Sequence, residues 1–184
     1  MLKSRGFFTP ICAALLFTIL GSPFATPAAD KDAEKVAGIL IDKKDNWIIV
    51  KADGEDSPVK YIISKDADKK LVDALKITFD ASRVQLTYKK DGDTRQLVSI
   101  NKQVLRATGT VMGDVVKVYN DFWVEVKPKN GLSDAYAPGA NYKDKDFMAK
   151  LKGLKKGDSV TITFNTDFER HRILTLRVNE DKPK

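Results

Sequence analysis

The sequence predicts an all-β protein in which two small five-stranded barrels follow one another along the chain. Three features support this prediction: short segments that alternate polar and apolar residues, one short helix signal in each half, and an internal repeat. Four segments of the first half return 76 residues later in the same register, which indicates a duplication. The paired segments begin at Trp47 and Trp123, Leu75 and Leu151, Val84 and Val160, and Leu97 and Ile173.

Each repeat contains the same order of elements: three strands, a short helix and two closing strands. In the first repeat, we expect strands at residues 36–42, 47–52, 59–63, 83–88 and 95–100. In the second, we expect strands at residues 108–118, 122–127, 159–164 and 171–178, and the third strand is poorly marked. The strand alternation predicts that Val84, Leu86 and Tyr88 share one face, as do Val160, Ile162 and Phe164.

Capping residues mark the two helices. Asp68 and Asp144 are suitable N-caps, and Gly153 suits a left-handed position at the end of the second helix. In the first strand of each repeat, a glycine permits a bend, and we expect Gly38 and Gly109 to correspond.

Three strands, a helix and two strands are the order of the OB-fold, a five-stranded Greek-key barrel. The alternative is an SH3-like barrel, which usually lacks a helix at this point. We therefore expect two OB-like barrels, at residues 30–104 and 105–178, followed by a polar tail at 179–184. The join at residues 101–108 has no run of Pro, Gly or Ser, so the barrels are expected to touch.

Residues 1–28 have the features of a cleavable signal peptide. Lys3 and Arg5 precede an apolar run at 7–20, and small residues and helix breakers follow it. The alternative is a retained anchor, but the run is shorter than the roughly 20 residues that a span needs. Cleavage after Ala28 removes Cys12, the only cysteine, so the mature chain has no disulfide. We expect a periplasmic or secreted protein with no membrane span after cleavage.

Positive charge is unevenly distributed between the two repeats. Residues 30–105 hold 15 basic and 14 acidic side chains, whereas residues 106–184 hold 15 and 11. The second repeat therefore carries most of the surplus. A surplus of this size permits contact with an anionic partner but does not require one.

Three segments of the second repeat resemble small periplasmic OB-fold proteins, a class that includes the copper and silver chaperones of efflux systems. They are Gly109-Thr110-Val111, Trp123-Val124-Glu125-Val126 and Leu154-Lys155-Lys156-Gly157-Asp158-Ser159-Val160. The resemblance implies the barrel fold. Those chaperones bind metal through a His, two Met and a Trp on neighbouring strands, whereas Met112 and Met148 fall on different predicted elements and His171 comes late. We expect no metal and no cofactor.

No catalytic constellation is recognisable in the sequence. His171 is the only histidine, it stands between Arg170 and Arg172, and the sequence reveals no positioned partner for it. A mature chain without cysteine and with one unpaired histidine gives no support for the usual nucleophilic dyads. We predict that the protein is not an enzyme.

The second strand of each repeat carries the main candidates for ligand binding. Because strand side chains alternate, Trp47 and Lys51 in the first repeat, and Trp123 and Lys127 in the second, are expected on the outer face. OB-folds commonly bind ligands there, and an aromatic ring beside a lysine can stack on a base or sugar and reach an anion. The alternative is that each Trp covers a barrel end or packs at the domain interface.

Residues 131–142 are longer and more aromatic than a plain connection needs, and we expect a loop there. Its Tyr136 and Tyr142 either line a groove beside Trp123 or fold back onto the barrel. Together with the charge surplus, this loop makes the second repeat the predicted binding copy.

The predicted function is that of a non-catalytic binding or assembly module of the cell envelope, with an acidic polymer as ligand. Export disfavours nucleic acid as a partner. The alternative is an accessory subunit that docks on a larger envelope protein through an apolar patch around Ile49 and Trp47.

Overall fold

The computed structural model describes residues 32–103, 105, 108–167 and 169–179. The predicted signal peptide, and all of the predicted tail except Asn179, lie outside these residues. Within them the chain forms two closed five-stranded barrels. Barrel 1 comprises β1 (Ala33–Lys44), β2 (Trp47–Ala52), β3 (Val59–Ile62), α1 (Lys69–Ile77), β4 (Arg83–Asp91) and β5 (Thr94–Lys102). Barrel 2 comprises β6 (Thr108–Tyr119), β7 (Trp123–Pro128), β8 (Asp134–Pro138), a 3-10 helix (Ala140–Lys143), α2 (Lys145–Lys152), β9 (Ser159–Asp167) and β10 (Arg170–Val178).

The two barrels share the strand pairing of an OB-fold. In barrel 1, β1 pairs antiparallel with both β2 and β4, and β3 runs parallel to β5. In barrel 2, β6 pairs with β7 and β9 in the same way, and β8 runs parallel to β10. The first strand is thus shared between two halves of each barrel, and the parallel pair closes it. The prediction of two tandem OB-like barrels is confirmed.

Alternation along the strands fills each barrel with apolar side chains. The predicted inward residues of β4 and β9 are buried, and the helix of each unit adds Leu71 and Leu75 to core 1 and Leu151 to core 2. The predicted N-caps are present: the Asp68 carboxylate accepts from the backbone N–H of Lys70, and the Asp144 carboxylate accepts from two N–H groups of the first turn of α2.

The segment expected to be a loop, residues 131–142, contains the third strand of barrel 2. In β8, Tyr136 points into the core, whereas Ala135 and Ala137 face outwards towards barrel 1. Alanine is depleted in strands, so this segment carries no strand signal in the sequence. The expected left-handed Gly153 is also corrected, because its φ of −73° and ψ of −11° are right-handed helical values.

The counterpart of Gly38 is Gly113, so the expected match with Gly109 is wrong. Gly38 pairs with Ala52 of β2, and Gly113 pairs with Pro128 of β7. A Cβ at Gly38 would lie 2.2 Å from a β2 carbonyl oxygen, and one at Gly113 would lie 2.5 Å from a β7 carbonyl oxygen. Both glycines therefore permit the same close approach of two strands.

The β1–β2 and β6–β7 hairpin turns differ in length by one residue. This difference explains why Gly38 and Gly113 are separated by one residue fewer than the other paired positions of the repeat. Two residues separate β1 from β2, whereas three separate β6 from β7. In the longer turn, Asn120 and Asp121 both have positive φ, at 50° and 54°. Asn and Asp tolerate this conformation better than most residues. The turn leaves Phe122 exposed at its end.

Gly38→Ala and Gly113→Ala are each expected to lower the free energy of unfolding by about 1–3 kcal/mol, because the added methyl must displace strand backbone. Gly153→Ala is the control, since its φ suits alanine and its added Cβ would lie 3.2 Å from the carbonyl oxygen of Ala149, so we expect a change of less than about 1 kcal/mol. Urea unfolding of the three variants measures the difference. Tolerance of alanine at Gly38 would contradict the close approach.

Candidate functional site

Barrel 1 packs against the outer face of β7 and β8. The contact is an apolar group that we call the junction cluster. Its buried members are Ile39, Ile41, Ala81, Tyr119, Trp123, Ala135 and Ala137. The face of strands two and three is the one on which OB-folds commonly bind ligands. In barrel 2 this face is covered by barrel 1.

A buried ion pair crosses the junction. The Nζ of Lys51 lies 2.7 Å from Oε1 of Glu125, a residue with 0% of its surface exposed. The hydroxyl of Tyr119 donates to the other carboxylate oxygen of Glu125 at 3.1 Å. Burial, followed by the negative charge of Glu125, raises the pKa of Tyr119 well above its ordinary value. The tyrosine therefore stays protonated and the carboxylate is satisfied on both oxygens.

Three of the six predicted site residues stabilise the fold and are not free to bind a ligand. Lys51 is held in the ion pair, and Tyr136 lies in the core of barrel 2. Trp123 lies outside that core, as the strand alternation predicts, but it is only 2% exposed, so its expected exposure is wrong. Its ring stacks on Tyr119 with centroids 4.1 Å apart. The alternative, packing at the domain interface, describes the position of Trp123.

The other three predicted residues do not meet in one groove. Lys127 is exposed and lines a small pocket whose rim includes Asp53, Glu55 and Asp56 of barrel 1. Tyr142 is 52% exposed and lines a different cleft on barrel 2.

Trp47 lies on barrel 1, partly exposed between two lysines. The Nζ atoms of Lys44 and Lys60 are 5.4 and 5.1 Å from its ring centre, within cation–π range. The predicted groove of Trp123, Lys127 and the two tyrosines is therefore not formed.

The cleft beside Tyr142, which we call the barrel 2 cleft, has a volume of about 610 Å³. Three large apolar side chains that contact it are exposed: Phe122, Tyr142 and Leu174. Its lining residues are Phe122, Pro138, Gly139, Ala140, Tyr142, Asn165, Asp167, Arg170, Arg172 and Leu174. Aromatic side chains, two arginines, an amide and a carboxylate thus converge on one concave surface.

The polar groups of the barrel 2 cleft are only partly satisfied. Arg172 donates through Nη1 to the carbonyl oxygen of Pro138 at 3.2 Å, and its Nε lies 3.7 Å from the Asp167 carboxylate. Among the described residues, the buried Nε of Arg170 and the buried Oδ1 of Asn165 have no hydrogen-bond partner. Burial, and then the charge of Arg172, lowers the pKa of Arg170. A guanidinium remains charged at neutral pH, so the cleft is cationic.

Alternation along β10 explains this arrangement. Arg170 and Arg172 lie on one face of the strand, and the side chain of His171 between them is buried on the other. The Arg-His-Arg pattern was thus a readable signal for two cationic side chains on one face, although neither arginine was predicted as a site residue. Phe122 was missed because its exposure depends on the longer hairpin turn.

His171 has a partner that the sequence does not reveal. Its Nε2 lies 3.2 Å from Oδ2 of Asp134, and its Nδ1 lies 3.4 Å from Oγ1 of Thr166. The ring stacks on Tyr136 and contacts Phe164, with centroids 5.2 and 4.3 Å away. The histidine therefore links β8 to β9 inside the end of barrel 2.

A second pocket, the junction pocket, adjoins the barrel 2 cleft and has a volume of about 370 Å³. Barrel 1 contributes Lys43, Phe79, Asp80 and Ala81, and barrel 2 contributes Asn120, Phe122, Trp123, Ala137 and Arg170. Arg170 lies over the Phe79 ring with its guanidinium carbon 4.6 Å from the ring centre. Burial raises the pKa of the Asp80 carboxyl, and the charge of Asp42 raises it further.

Two features are absent from the described part of the chain. No three His, Cys, Asp or Glu side chains in it are grouped so that they can hold a metal ion. No helix in it has the length and apolar character needed to cross a membrane.

Replacing Glu125 by Leu should lower the free energy of unfolding by about 3–5 kcal/mol, because the Lys51 ammonium is then buried without a counter-charge. Adding Lys51→Met should restore much of this loss, since two apolar side chains can replace a buried pair. Lys127→Met is the matched control, because Lys127 is the exposed counterpart of Lys51, and no change is expected. Equal stability of wild type and Glu125→Leu in urea unfolding would show that the pair does not hold the junction.

No protein-family model matches this sequence, and no curated protein matches it. One solved structure that matches is the crystal structure of a multidomain protein with nucleic acid binding domains from Streptococcus pneumoniae. The two sequences are 18% identical, and the TM-score is 0.26. The match covers 80% of this chain and 46% of the other, so this chain spans about half the length of that protein.

Proposed function

We propose that this protein is an exported, non-catalytic binding module of the cell envelope, and that the barrel 2 cleft holds an acidic polysaccharide. The observation that carries the proposal is the convergence of Arg170 and Arg172 with the exposed rings of Phe122 and Tyr142 on one concave surface. The proposal keeps the anionic ligand and the second barrel of the sequence prediction, and it moves the binding surface away from Trp123 and Lys127.

The cationic groups suit a ligand carboxylate. Arg170 lines the cleft, and a guanidinium can bind a carboxylate through two parallel hydrogen bonds. Half-burial strengthens such bonds, since the local dielectric is lower than in water. Arg172 adds a second positive charge from the same face of β10.

Aromatic and acceptor groups favour a sugar chain over a nucleic acid. The rings of Phe122 and Tyr142 offer exposed apolar surface on which a sugar ring can pack. The two carboxylate oxygens of the exposed Asp167 are hydrogen-bond acceptors in the same cleft. Sugar hydroxyls can donate to these acceptors. A phosphodiester backbone offers acceptors only, so it would leave the Asp167 carboxylate without a donor.

A protein partner is the second candidate, and one observation favours it. The exposed Phe122, Tyr142 and Leu174 form an apolar surface of the kind that marks docking sites. The patch first expected around Ile49 and Trp47 is less suitable, because Ile49 packs against the junction cluster. An accessory subunit would therefore dock through the barrel 2 cleft, the same surface that is proposed to bind the polysaccharide.

The proposal does not extend to metal transport. Met112 lies on β6, Met148 lies on α2, and His171 is buried with Asp134. Soft copper(I) requires clustered thioethers or imidazoles, and these three side chains lie on separate elements.

Arg170→Ala should weaken binding of oligogalacturonate by about tenfold or more, because a hydrogen bond to a charged group contributes about 1.5–3 kcal/mol. Tyr142→Ala should weaken it as well, through lost ring contact. The matched control is Arg177→Ala, which removes the same charge from an exposed position on the same strand. Isothermal titration of the mature protein at low and moderate salt measures all four affinities, and higher salt should weaken the binding of wild type.

Single-stranded DNA is titrated in parallel, and envelope extract is passed over the immobilised protein. Equal affinity of wild type and Arg170→Ala for the oligosaccharide would contradict the proposed cleft. Salt-sensitive binding of DNA alone would replace the polysaccharide with nucleic acid. Recovery of one stoichiometric protein, lost in Tyr142→Ala, would favour the docking subunit.

A further inference from the structure

We infer that a pocket on barrel 1 binds a fatty acid, a single aliphatic chain that ends in a carboxylate. This barrel 1 pocket lies between α1, the β1–β2 turn and the residue that follows β3, and it shares no lining residue with the barrel 2 cleft. Its volume is about 400 Å³, within the roughly 300–1,000 Å³ of small-molecule sites. It is therefore a second binding site that does not depend on the proposed function. Its lining residues are Lys43, Lys44, Asp45, Ile63, Val72, Leu75 and Lys76.

Aliphatic side chains form the apolar part of the barrel 1 pocket. Ile63 and Leu75 belong to core 1, and only 6% and 8% of their surfaces are exposed, so they lie at the bottom of the pocket. Val72 of α1 lies outside core 1 and is partly exposed. Such side chains offer apolar contact without a preferred direction, and burial of apolar surface is favourable wherever it excludes water. A methylene chain suits this surface.

The rim of the barrel 1 pocket is cationic. Three lysines and one aspartate line it, which gives its side chains a net charge of +2. Lys44 and Lys76 are exposed. The Nζ of Lys76 lies 3.6 Å from a carboxylate oxygen of Asp73, and an exposed pair of this kind contributes little to stability. Both ammonium groups can therefore turn towards an anion at the mouth of the pocket.

The third lysine removes an obstacle to an anion. The C-terminal end of a helix carries a partial negative charge, and the last turn of α1 lines the pocket. The Nζ of Lys43 donates to the carbonyl oxygens of Leu75, Lys76 and Thr78. These bonds place a positive charge on the carbonyl groups at the helix end, so the helix does not repel a carboxylate at the rim.

A fatty acid combines the two features of the barrel 1 pocket. Its chain packs against Ile63, Val72 and Leu75, and its carboxylate accepts charge-assisted hydrogen bonds from Lys44 and Lys76. A bilayer surface fits less well, because the apolar side chains lie at the bottom of a concave surface and cannot insert into lipid. A neutral alcohol would leave the ammonium groups without a counter-charge, and a short carboxylate would leave the apolar part unfilled.

Isothermal titration of the mature protein with hexanoate, octanoate and decanoate, each below its micellar concentration, tests the inference. Affinity should rise about fourfold for each methylene that the pocket buries. Decanol, which has the same chain and no charge, should bind about tenfold more weakly than decanoate, because the charge-assisted hydrogen bonds are lost. Vesicles of phosphatidylglycerol are tested in parallel by co-sedimentation.

The duplication provides matched controls in barrel 2. Lys76 and Val72 of α1 correspond to Lys152 and Met148 of α2, 76 residues later. Lys76→Glu should weaken decanoate binding about fivefold, whereas Lys152→Glu, at an exposed position of the equivalent helix turn, should not change it. Val72→Gln should weaken the binding as well, whereas Met148→Gln should not.

Trp47 gives a second readout, because Lys44 both lines the pocket and lies with its Nζ 5.4 Å from the centre of the Trp47 ring. A carboxylate that draws this ammonium group away should shift the emission of Trp47. The protein contains two tryptophans, so Trp47→Phe leaves Trp123 as the sole fluorophore. This variant should bind decanoate without a change in emission.

Four results would overturn the inference. They are an affinity that does not depend on chain length, equal binding of decanoate and decanol, equal effects of Lys76→Glu and Lys152→Glu, and decanoate binding that leaves the Trp47 emission unchanged. Co-sedimentation with vesicles in the absence of decanoate binding would replace the fatty acid with a membrane surface. Each of these results leaves the proposed function of the barrel 2 cleft in place.

Discussion

The buried pair of Lys51 and Glu125 is the interaction on which the arrangement of the two barrels depends. Neither charge is stable in the junction without the other, because an unpaired buried ion loses its hydration with no compensation. The apolar contacts of the junction cluster permit sliding, whereas the Lys51–Glu125 pair, with Tyr119 bonded to the second carboxylate oxygen, fixes the register of β2 against β7. The shape of the junction pocket follows from this register.

The duplication supplies two similar barrels, and a few differences between equivalent positions make them fit each other. Ile49 of barrel 1 occupies the position of Glu125 in barrel 2, and the exposed Lys127 occupies the position of Lys51. The glutamate is thus present in barrel 2 and is replaced by isoleucine at the equivalent position of barrel 1. The barrels therefore contact through different residues, and the surface formed between them is asymmetric.

The barrels were predictable from the sequence because alternation along β4 and β9 depends only on local period and on burial within one unit. The site was less predictable, because its residues are brought together by contacts between units. Alternation places Trp123 on the outside of its barrel, but its burial depends on Ile39 and Ile41 of the other barrel. The strand β8 was missed because Ala135 and Ala137, small enough to admit barrel 1, give no strand signal. Asp80 faces Arg170 across 90 residues of chain, and no sequence pattern connects them.

If the buried pair and the junction cluster hold the two barrels together, the protein tumbles as one rigid body. The most direct test is ¹⁵N relaxation of the backbone amides, which gives a rotational correlation time for each barrel separately. This arrangement predicts the same correlation time for both barrels, with the value of one body of their combined mass. Two shorter correlation times, each that of an isolated barrel, would contradict it.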